Sequence, residues 1–112
     1  MSDLATSSCE ACKIDAPLVP NDEAYVLLKE IEGWHLIDGG VKKLKKEFNF
    51  SSYSDSKDFT NKVADMADQE NHHPQIILER GKVTVIWWSH KIKGLHKNDF
   101  ICAAKTNNLS KN

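Results

Sequence analysis

The stretch that most constrains this chain is His72-His73-Pro74, followed by two apolar runs joined at Arg80-Gly81. Pro74 disfavours helical geometry at His73, so a helix arriving from upstream must end here and the chain must leave it extended. Residues 75–79 and 82–89 then read as the two strands of a hairpin. A hairpin returns its far end to where it began. His90, at the end of the second strand, therefore comes back to the His72-His73 corner, and three of the five histidines meet at one rim. Within the second strand Val83, Val85 and Trp87 face one side, while Thr84, Ile86 and Trp88 face the other. Both faces are apolar enough to require cover.

The rest of the chain supplies that cover. Asn21 or Asp22 can cap a first helix, Asp22 and Glu23 suit its positive end, and Ala24, Leu27, Leu28 and Ile31 recur on one stripe. Gly33 stops it. Residues 34–37 read as a strand, Asp38-Gly39-Gly40 as a turn, and 41–50 as a second strand with Leu44, Phe48 and Phe50 on one face. Capping residues at 51–56 open a second helix, on which Phe59, Val63, Met66 and Ala67 form a stripe running to about Glu70. A last helix begins at 97–99, turns Phe100, Ile101 and Ala104 inward, and frays into the polar tail 105–112. The order α-β-β-α-β-β-α specifies an α+β domain, with helices packed on one face of a four-stranded, mainly antiparallel sheet. A long apolar final strand left at the edge of so small a sheet needs a partner, so self-association is expected.

At 112 residues the chain has room for one core. Residues 1–20 are small, polar and punctuated by Pro17 and Pro20, which marks them as a flexible lead-in to a domain spanning 21–112. The lead-in carries Cys9-x-x-Cys12, with no second pair to complete a structural zinc site and no preceding strand to suggest a redox helix. An odd total of three cysteines fits a reducing compartment. No apolar run approaches the roughly 20 residues of a membrane span, and the N-terminus lacks the order of a secretory signal, so a cytoplasmic protein is expected. Fifteen basic against sixteen acidic residues leave no electrostatic footprint for nucleic acid. The basic run Lys42, Lys43, Lys45, Lys46 is interrupted by Leu44, as the solvent face of a strand would be.

The histidines carry the chemistry. An unperturbed imidazole titrates near pH ~6.5, so it both gives and takes protons around neutrality. Three at one rim suit a reaction that adds a proton at one atom and removes one at another. A metal site and a structural polar corner stay open as alternatives, although adjacent histidines at a helix end point in different directions and no H-x-H or H-x-x-x-H pair is present. Nucleophilic catalysis is poorly supported, because Ser89 and His90 face opposite sides of a strand. Asp68, one turn before His72, can orient an imidazole or recognise an amino or amide group on a ligand. His35 and His96 read as structural or surface residues, His96 near the start of the last helix.

Asp68-x-x-x-His72-His73-Pro74, then Gly81-Lys82-Val83, then Ser89-His90-x-x-x-Gly94-Leu95-x-x-x-Asp99 resembles the signature of the pterin-4a-carbinolamine dehydratases. The pattern extends back to Gly33-Trp34 and covers roughly residues 22 to 108. The resemblance implies an α+β enzyme that removes water from 4a-hydroxytetrahydropterin, giving the quinonoid dihydropterin. This is how the cofactor of aromatic amino acid hydroxylases is recycled. It implies His72, His73 and His90 as the active-site histidines. Asp68, Pro74 and the segment Ser89, His90, Lys91, Ile92 join them at the pterin site. It implies no metal or bound cofactor, and a homodimer or homotetramer coupled in function to a hydroxylase. Arg80 and Trp88 depart from many relatives, which bears on the shape of the pocket. Two other roles follow from the same resemblance: a protein-binding regulatory module, as in animal relatives that act as dimerisation partners of a homeodomain transcription factor, and a role near molybdopterin metabolism.

Overall fold

A computed structural model describes residues 18–110. Cys9, Cys12 and most of the lead-in lie outside the described residues. The helices are α1 (Asn21–Leu28), α2 (Tyr53–Glu70) and α3 (Lys97–Leu109); the strands are β1 (His35–Asp38), β2 (Lys42–Asn49), β3 (Gln75–Glu79) and β4 (Lys82–Trp87). The element order is the one expected. The cap of α1 differs, because Pro20 occupies that position in extended geometry and has no side-chain acceptor to offer the first turn. Asp22 and Glu23 lie inside the first turn, where their charge meets the positive end of the helix.

All four strands are antiparallel in the order β1-β2-β4-β3, so the two hairpins join through β2 and β4. The most apolar strand, β4, is thus interior and paired on both sides. Its composition reflects that central place, and the reason given above for self-association, an unpaired final strand, does not apply; the edges are β1 and β3. The register sets Leu44 against Trp87 and Phe48 against Val83, which places these four on the face that α2 and α3 cover. From the helices Phe59, Val63, Met66 and Ala67 meet Phe100, Ile101 and Ala104 in the same core. On the opposite face Thr84 lies between Glu47 and Ile77, and Ile86 between Lys45 and Gln75. Among the described residues no helix covers that side. Thr84 and Ile86 are nonetheless buried there.

Alternation divides the basic run between the two faces. Lys43 and Lys45 share the outer face, whereas Lys46 lies on the inner one beside Leu44 and Phe48. The Lys46 ammonium donates to the Glu32 carbonyl and to Asn107 Oδ1, both at 2.8 Å. Trp34 Nε1 donates to the same Asn107 oxygen at 3.0 Å, and Asn107 Nδ2 donates to the Glu32 carbonyl at 3.1 Å. This network ties the end of α3 to the turn after α1. It also explains why α3 continues to Leu109 instead of fraying at Lys105. Thr106, a polar residue read as tail, is fully buried; its Oγ1 accepts from Trp87 Nε1 at 3.1 Å and donates to the Cys102 carbonyl at 2.6 Å.

Ser52 caps α2 by accepting from the Asp55 amide at 3.1 Å. One turn on, Phe59 packs its ring against Phe48 and Phe50, with centroids 4.7 and 5.1 Å apart. Phe59→Ala removes the ring that joins α2 to β2. The expected loss is about 3 to 5 kcal/mol, a large share of a total of roughly 5 to 15 kcal/mol. It is measured as a lower urea midpoint with an unchanged slope.

Candidate active site

The end of α2 aims two neighbouring histidines in opposite directions. Asn71 adopts the left-handed conformation (φ 53°, ψ 39°). Its amide donates to the Asp68 carbonyl at 3.2 Å and the His72 amide to the Ala67 carbonyl at 3.1 Å, the paired closure of a Schellman motif. The reversal turns His72 inward, to 4% exposure. Pro74 keeps the following backbone extended, so His73 points outward and is 60% exposed. There its Nε2 lies 3.0 Å from Asp68 Oδ1.

The exit of β4 meets this corner through strand alternation. Trp87 faces the core and stacks on His72, with ring centroids 5.5 Å apart and planes 15° from parallel. Trp88 faces the other way, Ser89 is buried, and His90 is exposed. The chain then loops and closes, the Ser89 amide donating to the Gly94 carbonyl at 2.8 Å and the Ser89 carbonyl accepting from the Gly94 amide at 3.3 Å. Lys93, with φ +53°, makes the reversal. On its outer side the loop is held by the Val19 amide, which donates to the Leu95 carbonyl at 2.8 Å.

Asp99, in the first turn of α3, joins both pieces. It is fully buried and accepts three hydrogen bonds: from His72 Nε2 at 2.6 Å, Ser89 Oγ at 2.8 Å and the His96 amide at 2.9 Å. His96 Nδ1 in return accepts from the Asn98 amide at 3.0 Å, completing a reciprocal cap. His96 is therefore structural, as the sequence suggested. A buried carboxylate is tolerable only when bonded in this way, and the positive end of α3 adds to its stabilisation. For His72 the consequence is chemical. With Nε2 donating to Asp99, Nδ1 becomes the nitrogen at which a proton can be exchanged.

Asn71, His72, His73, His90 and Lys91 line an open cleft of 250 Å³. The three expected histidines thus share one cavity, with Lys91 in its wall and Asp68 at its rim through His73. Pro74 and Ile92 are half-buried and stand outside the lining, and Ser89 lies behind it on Asp99. Arg80 is in the β3–β4 turn, at the opposite end of the hairpin from the cleft. Among the described residues no three His, Cys, Asp or Glu side chains converge in a way that could hold a metal ion. Asn71, Trp87 and Asp99 were not singled out as site residues. An asparagine between a helix and His-His-Pro is itself a signal for a left-handed cap, whereas nothing local shows that Asp99 reaches a residue 27 positions earlier.

Asp99→Asn keeps the size of the side chain but turns an NH2 group toward at least one of the three donors. Stability is expected to fall by about 1 to 3 kcal/mol. Asp68→Asn, in an exposed pair, is expected to change it by at most about 0.5 kcal/mol. Denaturant unfolding of the two variants side by side measures the difference.

Comparison with known proteins identifies the family. The family profile described as "Pterin 4 alpha carbinolamine dehydratase" matches residues 17–109. A protein of Saccharophagus degradans named "Putative pterin-4-alpha-carbinolamine dehydratase" is 53% identical over 110 residues, 97% of each chain. A Vibrio vulnificus protein of the same name is 54% identical over 102 residues, 90% of this chain and 93% of the relative. Among solved structures, "transcriptional coactivator/pterin dehydratase from Brucella Melitensis" superposes with a TM-score of 0.79 at 24% identity, covering 84% of this chain and 99% of the other. At that identity the superposition speaks for the fold. A second structure, titled as a pterin dehydratase-like protein that is a RuBisCO assembly factor, has a TM-score of 0.62 at 22% identity, covering 71% of this chain and 92% of its own. The profile match and the identity over nearly the whole chain together establish that this protein belongs to the pterin-4a-carbinolamine dehydratase family, a family of hydro-lyases.

Proposed function

We propose that the protein dehydrates 4a-hydroxytetrahydropterin to quinonoid dihydropterin by general acid–base catalysis from its histidine cleft. The reaction is an elimination. A proton is added to the 4a hydroxyl, the C4a–O bond breaks and water leaves. The electron pair of the adjacent ring nitrogen forms the C=N bond, and the proton on that nitrogen is removed. Two proton transfers at nearby atoms call for two imidazoles that reach one ligand. The convergence of His72, His73 and His90 on one cleft is the observation that carries this reading.

Asp99 suits His72 to the role of base, because a buried carboxylate on Nε2 stabilises the imidazolium formed when Nδ1 takes a proton. His90, exposed at the mouth, is then the acid that protonates the departing hydroxyl. His73, held by Asp68, positions the hydroxyl or the ring. The two stereoisomers of the carbinolamine present the hydroxyl on opposite faces and can exchange the roles of His72 and His90. Lys91, in the wall of the cleft, completes the immediate surroundings of the pterin, with Pro74, Ser89 and Ile92 standing outside the lining. On this reading the protein acts in the cytoplasm as a homodimer or homotetramer, converting the spent cofactor of an aromatic amino acid hydroxylase to the dihydropterin that a reductase then restores.

Freshly generated 4a-hydroxytetrahydropterin, followed by rapid-mixing absorbance, tests the proposal. The wild-type protein is expected to accelerate decay over buffer, and His90→Ala to lose roughly 10²- to 10⁴-fold of that acceleration while retaining its circular dichroism spectrum. A folded wild-type protein that leaves the decay at the buffer rate would overturn the assignment. Asp99→Asn is expected to lower kcat, and His73→Ala to raise KM more than it lowers kcat.

A further inference from the structure

The outer side of the β4 exit carries a contact that the acid–base scheme does not use. Leu44 stands opposite Trp87 in the β2–β4 register, so one step further along, Lys43 stands opposite Trp88. The Lys43 ammonium lies 4.1 Å from the centroid of a Trp88 ring, in a cation–π contact between neighbouring strands. Two residues beyond Trp88 and on the same side of the chain, the imidazole of His90 packs on the indole with centroids 4.2 Å apart and planes inclined at 33°. The indole is half-buried, whereas His90 is exposed and belongs to the loop that ends at Gly94.

An exposed side chain on a loop exchanges rotamers in picoseconds to nanoseconds, and proton transfer needs the ring held within hydrogen-bond reach of one oxygen. Asp99 gives His72 such a hold. For His90 the corresponding surface is the indole. We propose that Trp88 is a positioning residue for this reaction. Its ring, anchored across the sheet by Lys43, confines the His90 imidazole to the mouth of the cleft. The inference rests on His90 being a proton-transfer group, and adds that the orientation of this group is set by a residue that never meets the substrate.

Trp88→Leu and Trp88→Phe, with His90→Ala as reference, separate the two claims. Both kinetic constants are measured, together with the proton NMR signal of His90 Cε1–H, identified by its loss in His90→Ala. Trp88→Leu is expected to lower kcat roughly tenfold with KM within about twofold, and to move the His90 signal downfield as the ring current of the indole disappears. Trp88→Phe, which keeps an aromatic face, is expected to restore most of both. If kcat is unchanged in Trp88→Leu while His90→Ala is inactive, the positioning role is overturned and the catalytic role of His90 survives. If His90→Ala is as active as wild type, both fall. A rise in KM at constant kcat would mean that the indole grips substrate directly, which also overturns the proposal. Trp88→Met replaces the leucine variant if that one does not fold. Failure of both to fold would make Trp88 a folding residue and end the positioning claim.

Discussion

The buried carboxylate of Asp99 is the constraint on which the rest of this structure depends. A fully buried anion needs donors on every side, and the three it has come from three places: the corner after α2, the exit of β4, and the residue that caps α3. Satisfying the charge therefore brings the histidine corner, the end of the central strand and the start of the last helix to one point. The same bonds that make the burial tolerable fix the tautomer of His72. Stability and chemical readiness are here one set of hydrogen bonds seen from two ends.

The cleft is asymmetric as a result. His72 is inside, pressed against Trp87 and bonded to Asp99; His73 and His90 are outside, each with one lateral contact, to Asp68 and to Trp88. Strand alternation generates much of this difference. Trp87 and Ser89 serve the inner side of the chain and Trp88 and His90 the outer side, so four consecutive residues supply both the support behind the cleft and part of its mouth. A one-residue slip in the pairing of β4 would exchange these roles and dismantle the site together with the core.

Features governed by neighbours in sequence were legible from the chain alone. Pro74 announced the end of α2, Arg80-Gly81 announced the second hairpin, and hairpin geometry alone brought His90 back to His72 and His73. Features governed by distant pairing were not. Nothing in the apolar run 82–89 says whether it stands at an edge or between two others, since that depends on β2, more than thirty residues earlier. The polar end of α3 read as a tail because Thr106 and Asn107 look solvent-bound until their partners, Trp87 and Trp34, are known. The resemblance covered Asp99 as a spaced position. Its part in the site emerged only in three dimensions, because a carboxylate in the first turn of a helix is usually explained by the helix itself.

The reciprocal cap at the start of α3 has a consequence for how the protein can lose its order. Asp99 serves at once as the cap's acceptor and as the anchor of His72, so the opening turn of α3 cannot fray alone, as helix ends commonly do. Loosening it would strand His72 and Ser89 in the same event, leaving donors buried without partners. Thermal fluctuation at this helix end is thereby coupled to the interior. The site should persist intact up to the point at which the domain gives way, with no population of half-assembled enzyme between the two.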